Sequence, residues 1–196
     1  MAIDSYVVFI PYTGAPLLSE SQVDMSLNKE ELATDLTSYA TASQLFEVED
    51  YSFDIEQALN IGSQSSGAGA GKVVFNPFSI TRKIDRSSPV LFDMACSGTA
   101  FKQVTLALRK SVGGTPIQGQ PSGQIFLRFD FKLAAVKTIS WSHDDESPKE
   151  TTTFEYGGML IRYCQQNPNG SLKASIPGGW NRVKNILDHT TTAIGT

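Results

Sequence analysis

The chain is short of the residues that most often do chemistry. Two cysteines and two histidines are all it has in 196 residues. Cys96 and Cys164 cannot build the disulfide framework of a small secreted domain. On a predicted helix and a predicted strand, they read as small buried hydrophobes. The one run of metal-ligand types is His143, Asp144, Asp145 and Glu146. Its members are consecutive, so they cannot converge from an extended strand, and they read as a solvated turn. Charge is scarce as well, at 18% of residues against the usual quarter. The balance is −4 with no basic footprint, which excludes nucleic acid as a partner. No run approaches the ~20 apolar residues of a membrane span. Tyr6–Ile10 is too short for a signal-peptide core, and Asp4 sits where a positive charge belongs. The expectation is a protein made in the cytoplasm without a signal peptide and not inserted into membranes.

What is there is β pattern. Tyr6–Ile10 falls in a first strand, Ser5–Ile10. Val104, Leu106 and Leu108 alternate with Thr105, Ala107 and Arg109. In Gln124–Leu133, Ile125, Leu127, Phe129, Phe131 and Leu133 face one way, and Phe126, Arg128, Asp130 and Lys132 the other. That strand continues to Trp141 with a change of phase after Ala135. Phe154, Tyr156, Met159, Ile161 and Tyr163 form its hairpin partner, with Gly157–Gly158 as a bulge or bend. Phe46–Gln57 is a strand whose apolar phase slips near Glu49–Asp50, as at a bulge. Val73 and Phe75, then Phe78 and Ile80, flank a shift at Pro77. Asn167–Gly170 is a turn, and a last short strand precedes Gly178–Gly179. The pattern predicts strands with apolar inner faces and polar, mixed-charge outer faces.

Two helices interrupt the strands. Ser88 before Pro89 is a helix start, and Gly98 is its stop. Within the long connection 11–45, Asn28 can cap, Glu31 lies three residues on, and Leu27 and Leu32 can staple the start. Leu32, Leu36, Tyr39 and Ala40 then share a helical face. The fold class is mainly β: an antiparallel barrel or two-sheet sandwich, one short flanking helix, and an extra helix in the first connection. Residues 1–185 make one domain, and 186–196 are expected to be a mobile C-terminal tail.

No catalytic constellation emerges. The glycine-rich GAGAGK invites a phosphate-loop reading, but that loop needs glycine at position 66 and Ser or Thr at 73, where Ser66 and Val73 stand. No serine sits in a nucleophile elbow. Asp54 and Glu56 could be paired carboxylates, yet they lie on one face of one strand. Tyr51, Phe53, Phe126 and Trp141 could stack a ligand, but on the apolar phase of strands they read as core.

Several landmarks occur together in order: MAID at the start, GAGKV at Gly69–Val73, FSITRKID at Phe78–Asp85, Ser88–Leu91, ACSG at Ala95–Gly98, LRK at Leu108–Lys110, and GWN at Gly179–Asn181. This set resembles the haemolysin-coregulated protein (Hcp) family, the tube-forming subunit of bacterial type VI secretion. The resemblance implies a small β-barrel with a flanking helix and six subunits joined head to tail in a ring. It implies stacked rings inside a contractile sheath, with spike and baseplate as partners and effector proteins carried in the lumen. It implies secretion through that apparatus, no enzyme activity, no cofactor and no metal. It also places Ser52, Asp54 and Glu56 on the lumen. The glycine-rich loop, with Gly67, Gly69, Gly71 and Lys72, would make subunit or ring contacts. The connection 11–45 is longer than the family's. A tail-tube protein of a phage or of an extracellular contractile injection system is an alternative, and a β-sandwich carbohydrate-binding module is an alternative of another class.

Overall fold

The computed structural model describes residues 3–190 except 27, 37, 40, 42, 61–68, 112–122 and 144–146; at 58–60, 69–72 and 111 it describes the backbone alone. Four long antiparallel strands form the body of the main sheet: β1 (Ile3–Pro11), β7 (Ala100–Ser111), β8 (Gly123–His143) and β9 (Pro148–Tyr163). β2 (Phe46–Glu47) adds to β1. At the other margin β9 serves two partners. Its first half pairs with β6 (Phe78–Lys83), which carries β3 (Asp50–Ser52). Its second half pairs with β10 (Ile176–Asn181), which carries β11 (Ile186–Leu187). A second sheet is a two-stranded arm, β4 (Ile55–Asn60) on β5 (Gly69–Phe75). The result is a sandwich. The main sheet curls until segment 46–52 spans its margins, Val48 N–H donating to Ser5 O at 3.0 Å and Glu49 N–H to Thr81 O at 2.9 Å. The ladders of β2 and β3 are separate, so no closed barrel forms.

The expected bulge near Glu49–Asp50 is therefore a hand-over. The chain leaves β1 after Glu47, reaches β6 at Asp50, and leaves again for β5 at Ile55. Gly157–Gly158 is a bend, because the β8–β9 pairing keeps one register from Leu127↔Tyr163 to Val136↔Phe154. Leu133, opposite Gly157, has φ +50°. A Cβ at Gly157 would lie 3.1 Å from Leu133 Cδ2, so glycine makes room for the kink. The register shift in β8 comes between Val136 and Thr138, two residues after the expected change of phase.

The first core is aromatic. Phe9, Phe78, Phe101, Phe131 and Phe154 are buried together, with Phe78 stacked on Phe131 at 4.0 Å. Each such side chain contributes about 1.5–3 kcal/mol of burial, and the ring pairs add specific geometry. β7 is buried on both faces: Val104 and Leu106 point to this core, while Thr105 and Ala107 point to the opposite side.

That opposite side is covered by the first connection. Met25, Leu32, Ala33 and Leu36 pack on Tyr6, Val8, Ala107, Ile125 and Cys164 as a second core. The expected helix is one turn, α1 (Glu31–Thr34). Glu30 stands at its cap, but its side chain does not cap the helix. Asn28 does not cap: its Nδ2 donates to Gly123 O at 3.1 Å and Glu30 Oε1 at 2.6 Å. Leu27 and Ala40 lie outside the described residues. α2 (Ser88–Ser97) starts one residue from expectation, with Ser87 at the cap, and the Ser87 and Ser88 hydroxyls both accept from Arg82, at 2.9 and 3.2 Å. It stops at Gly98, whose φ of +68° is the left-handed conformation glycine tolerates. Cys96 on α2 is exposed, contrary to expectation, and Cys164 is buried. Trp141, expected in the core, is half-exposed, its Nε1 donating to Glu150 Oε2 at 3.0 Å.

Candidate functional site

Ser52, Asp54 and Glu56 are exposed along the segment that runs from β3 into β4. Side chains alternate across an extended chain, so Tyr51 and Phe53 take the opposite phase and pack on the aromatic core. Ile55, expected to pack inward with them, stays 46% exposed at the mouth of a cleft. Ser52 pairs with Ser79 and Glu56 with Val74. Asp54 pins the corner between β5 and β6: its Oδ2 accepts from Asn76 Nδ2 at 2.7 Å and its carbonyl from Asn76 N–H at 3.0 Å. The three residues form a short polar strip.

The glycine-rich contacts fall differently. Gly67 lies outside the described residues. Gly69, Gly71 and Lys72 belong to β5 rather than to a loop, with Gly69 opposite Asn60. The inner face of the arm, Val73 and Phe75, looks across a cleft of about 590 Å³ toward Met159, Ile161 and Trp180. Tyr156 closes one side of the arm, its hydroxyl donating to Asn76 O at 3.1 Å, and burial pushes its ionisation up to about 12.

The main departure lies on the face of β8 expected to be solvated. Arg128, Asp130 and Lys132 are buried. Asp130 Oδ1 accepts from Thr105 at 2.7 Å, Gln103 at 2.9 Å and Arg128 Nε at 2.7 Å, and its Oδ2 from Arg162 at 3.0 Å. Asp35, just after α1, adds a second carboxylate, bonded to Arg128 and, at 3.2 Å, to Arg162. Arg128 also donates to Leu32 O at 2.9 Å. Two guanidiniums and two carboxylates thus clamp the first connection to the sheet. Burial alone would raise Asp35, but Arg128 and Arg162 outweigh it and hold its carboxyl below the usual range. Lys132 turns to the C-terminal segment, 3.9 Å from Asp188 and bonded to Thr190 O. Burial lowers its ionisation while Asp188 and Asp130 oppose that. The start of the expected tail is held to the sheet: Ile186–Leu187 form β11, and Asp188 N–H donates to Gly179 O at 3.1 Å.

None of this is catalytic geometry. Every charge in the layer faces an opposite charge or a backbone carbonyl, and the Thr105 hydroxyl that meets Asp130 is fully buried. Burial, with Glu31 and Glu30, raises the Cys164 thiol against the pull of Arg162, which keeps it neutral and inert. Among the described residues no group of His, Cys, Asp and Glu could hold a metal ion. His143 is exposed at the end of β8, and the rest of its acidic run lies outside the described residues. A signal for the buried layer does exist in the sequence: Tyr6–Ile10 is apolar in both phases, so both faces of β1 need cover.

A family model for the type VI secretion system effector Hcp matches residues 37–163, about two thirds of the chain. The chain belongs to the Hcp family. The fold agrees. A solved type six secretion system protein is 20% identical, with 95% of this chain and 100% of that one covered and a TM-score of 0.73. Hcp1 from Salmonella typhimurium is 22% identical over 96% and 100%, with a TM-score of 0.63. A type VI secretion system effector from Yersinia pestis is 16% identical over 91% and 99%, with a TM-score of 0.60. No curated protein matches the chain. Hcp is a family of structural tube proteins secreted by the type VI system, and this Hcp chain is a tube subunit. Among the described residues no helix is long and apolar enough to cross a membrane.

Proposed function

We propose that six copies of this Hcp protein close head to tail into a ring, and that rings stack into the inner tube of a type VI machine. Sheath, spike and baseplate are the partners of that tube, and effector proteins ride in its lumen until contraction expels it. The work is mechanical, and no bond is made or broken. The observation that carries the lumen assignment is the polar strip Ser52, Asp54 and Glu56, exposed on a segment whose other phase is core. Six copies would ring a channel with small polar and acidic groups, admitting neutral or basic cargo surfaces. Gly69, Gly71 and Lys72 on the arm, and Gly67, are proposed contacts to the neighbouring subunit or ring.

Light scattering with negative-stain microscopy tests the assembly. The expected outcome is a ring about six times the chain mass. A strict monomer across concentration and salt overturns the reading. Secretion is tested by the protein's appearance in culture supernatant only while the sheath is functional.

A further inference from the structure

Two apolar surfaces lie far apart on the molecule. One is a knob where α2 meets the end of β8. Phe92 and Trp141 are 47% and 50% exposed there. The Phe92 and Trp141 rings lie 6.2 Å apart, and the bond from Trp141 Nε1 to Glu150 fixes the indole. The other is the cleft between the arm and β9–β10. Val73, Phe75, Ile161 and Trp180 line it, and Val183 stands 67% exposed on the adjoining turn. The indole N–H of Trp180 meets no acceptor among the described residues.

Knob and cleft belong to opposite ends of one strand. Trp141 pairs with Glu150 of β9, whereas the cleft is built on Met159 and Ile161. The intervening strand spans roughly 33 Å at ~3.3 Å per residue. Each surface has an exposed charge beside it, and the two are of opposite sign. Asp93 is exposed beside Phe92, and the last turn of α2 has no basic residue to offset the negative helix end. The turn after β10 carries the exposed Lys184, while Arg182 there is paired with Glu155 at 3.4 Å. Two unlike apolar surfaces this far apart cannot meet within one chain. Between copies they can, and a contact between unlike surfaces propagates into a ring or a stack.

We propose that the Phe92–Trp141 knob of one copy seats in the Trp180 cleft of the next, with Asp93 set against Lys184. This rests on the ring reading above and names the surfaces that make it. Large exposed apolar patches are what such contacts use.

The test uses two full-length variants, Phe92→Glu (knob spoiled, cleft intact) and Val183→Glu (cleft spoiled, knob intact). Both positions are exposed, so the thermal midpoints should match wild type. Each variant alone is expected to stay monomeric at concentrations where wild type assembles. An equimolar mixture retains one sound knob and one sound cleft, so it should give a species of twice the chain mass and nothing larger. Charge reversal gives a second measurement. Asp93→Lys or Lys184→Asp alone should raise the concentration needed for assembly at least tenfold, and the two together should restore it. Rings from both single Glu variants, or no two-chain species on mixing, overturn the contact while leaving the ring reading intact. A wild-type protein that stays monomeric overturns the ring reading and takes this contact with it.

Discussion

On one side of β7 and β8 lies a dry layer of phenylalanine; on the other, arginine and aspartate are buried as deeply as leucine. The two covers hold the same sheet by different physics. The aromatic side gains from area and shape, and fails by leaving a cavity. The ionic side gains little net energy, since desolvating the charges offsets much of their attraction. It fails when one partner is removed and another is left buried alone. What the ionic side adds is position. Asp35 and the carbonyl of Leu32 meet Arg128 and Arg162 at one place only, so the first connection sits in one place on the sheet.

The contrast can be broken from either side. Phe131 touches Phe53, Phe78 and Tyr156, so Phe131→Ala should cost about 3–5 kcal/mol in urea unfolding. Asp130→Ala leaves Arg128 and Arg162 with a single shared carboxylate, and a loss of about 3–5 kcal/mol is expected. Unfolding close to wild type for Asp130→Ala would show that the ionic layer relaxes to water and is no true interior.

Asp35→Asn should be milder, about 1 kcal/mol, because the carboxylate is 41% exposed and partly screened. Its effect should be local: hydrogen exchange over 19–36 rises while β7–β9 stay protected. Acid should mimic it. A carboxyl held below its unfolded value of about 3.9 contributes stability above that pH and loses it as pH falls through the folded value. Below about pH 4 the first connection should therefore exchange before the aromatic core does. The smallest effect is expected outside both layers. Ser52→Gln lies on exposed chain and should change stability by less than about 0.5 kcal/mol, while Asp54→Arg also removes the bond from Asn76 and should cost about 0.5–1.5 kcal/mol. They should leave rings intact while altering which effectors are retained. Loss of rings with no separate cargo effect would move these residues from the lumen to an interface.

Much of the aromatic side was legible in the sequence. Alternation in Val104–Leu108 and Phe129–Phe131, and the apolar pairs flanking Pro77, carry the period of strands with one dry face, and the structure buries those residues together. The other face misled for a physical reason. Arg128, Asp130 and Lys132 also alternate, and alternation reports which residues share a face without reporting what covers it. The cover comes from ninety residues or more away in sequence, as the bonds from Arg128 to Leu32 and Asp35 record. Asn28 had the chemistry of a cap but was recruited by Gly123. There a tertiary hydrogen bond outcompeted a local one. The polar strip at 52–56 was visible as a phase. The knob was not, because Trp141 has the composition of core and only the end of the β8–β9 hairpin leaves it uncovered.

That hairpin also has a mechanical meaning. β8 and β9 stay paired from Leu127↔Tyr163 to His143↔Pro148, through one kink and one slipped residue. Pulled lengthwise, such a ladder shares the strain among all its rungs at once; pulled from one end, it opens rung by rung. A piston driven along its axis survives if these strands lie near the direction of thrust, and the kink at Leu133 and Gly157 is where the beam would flex first.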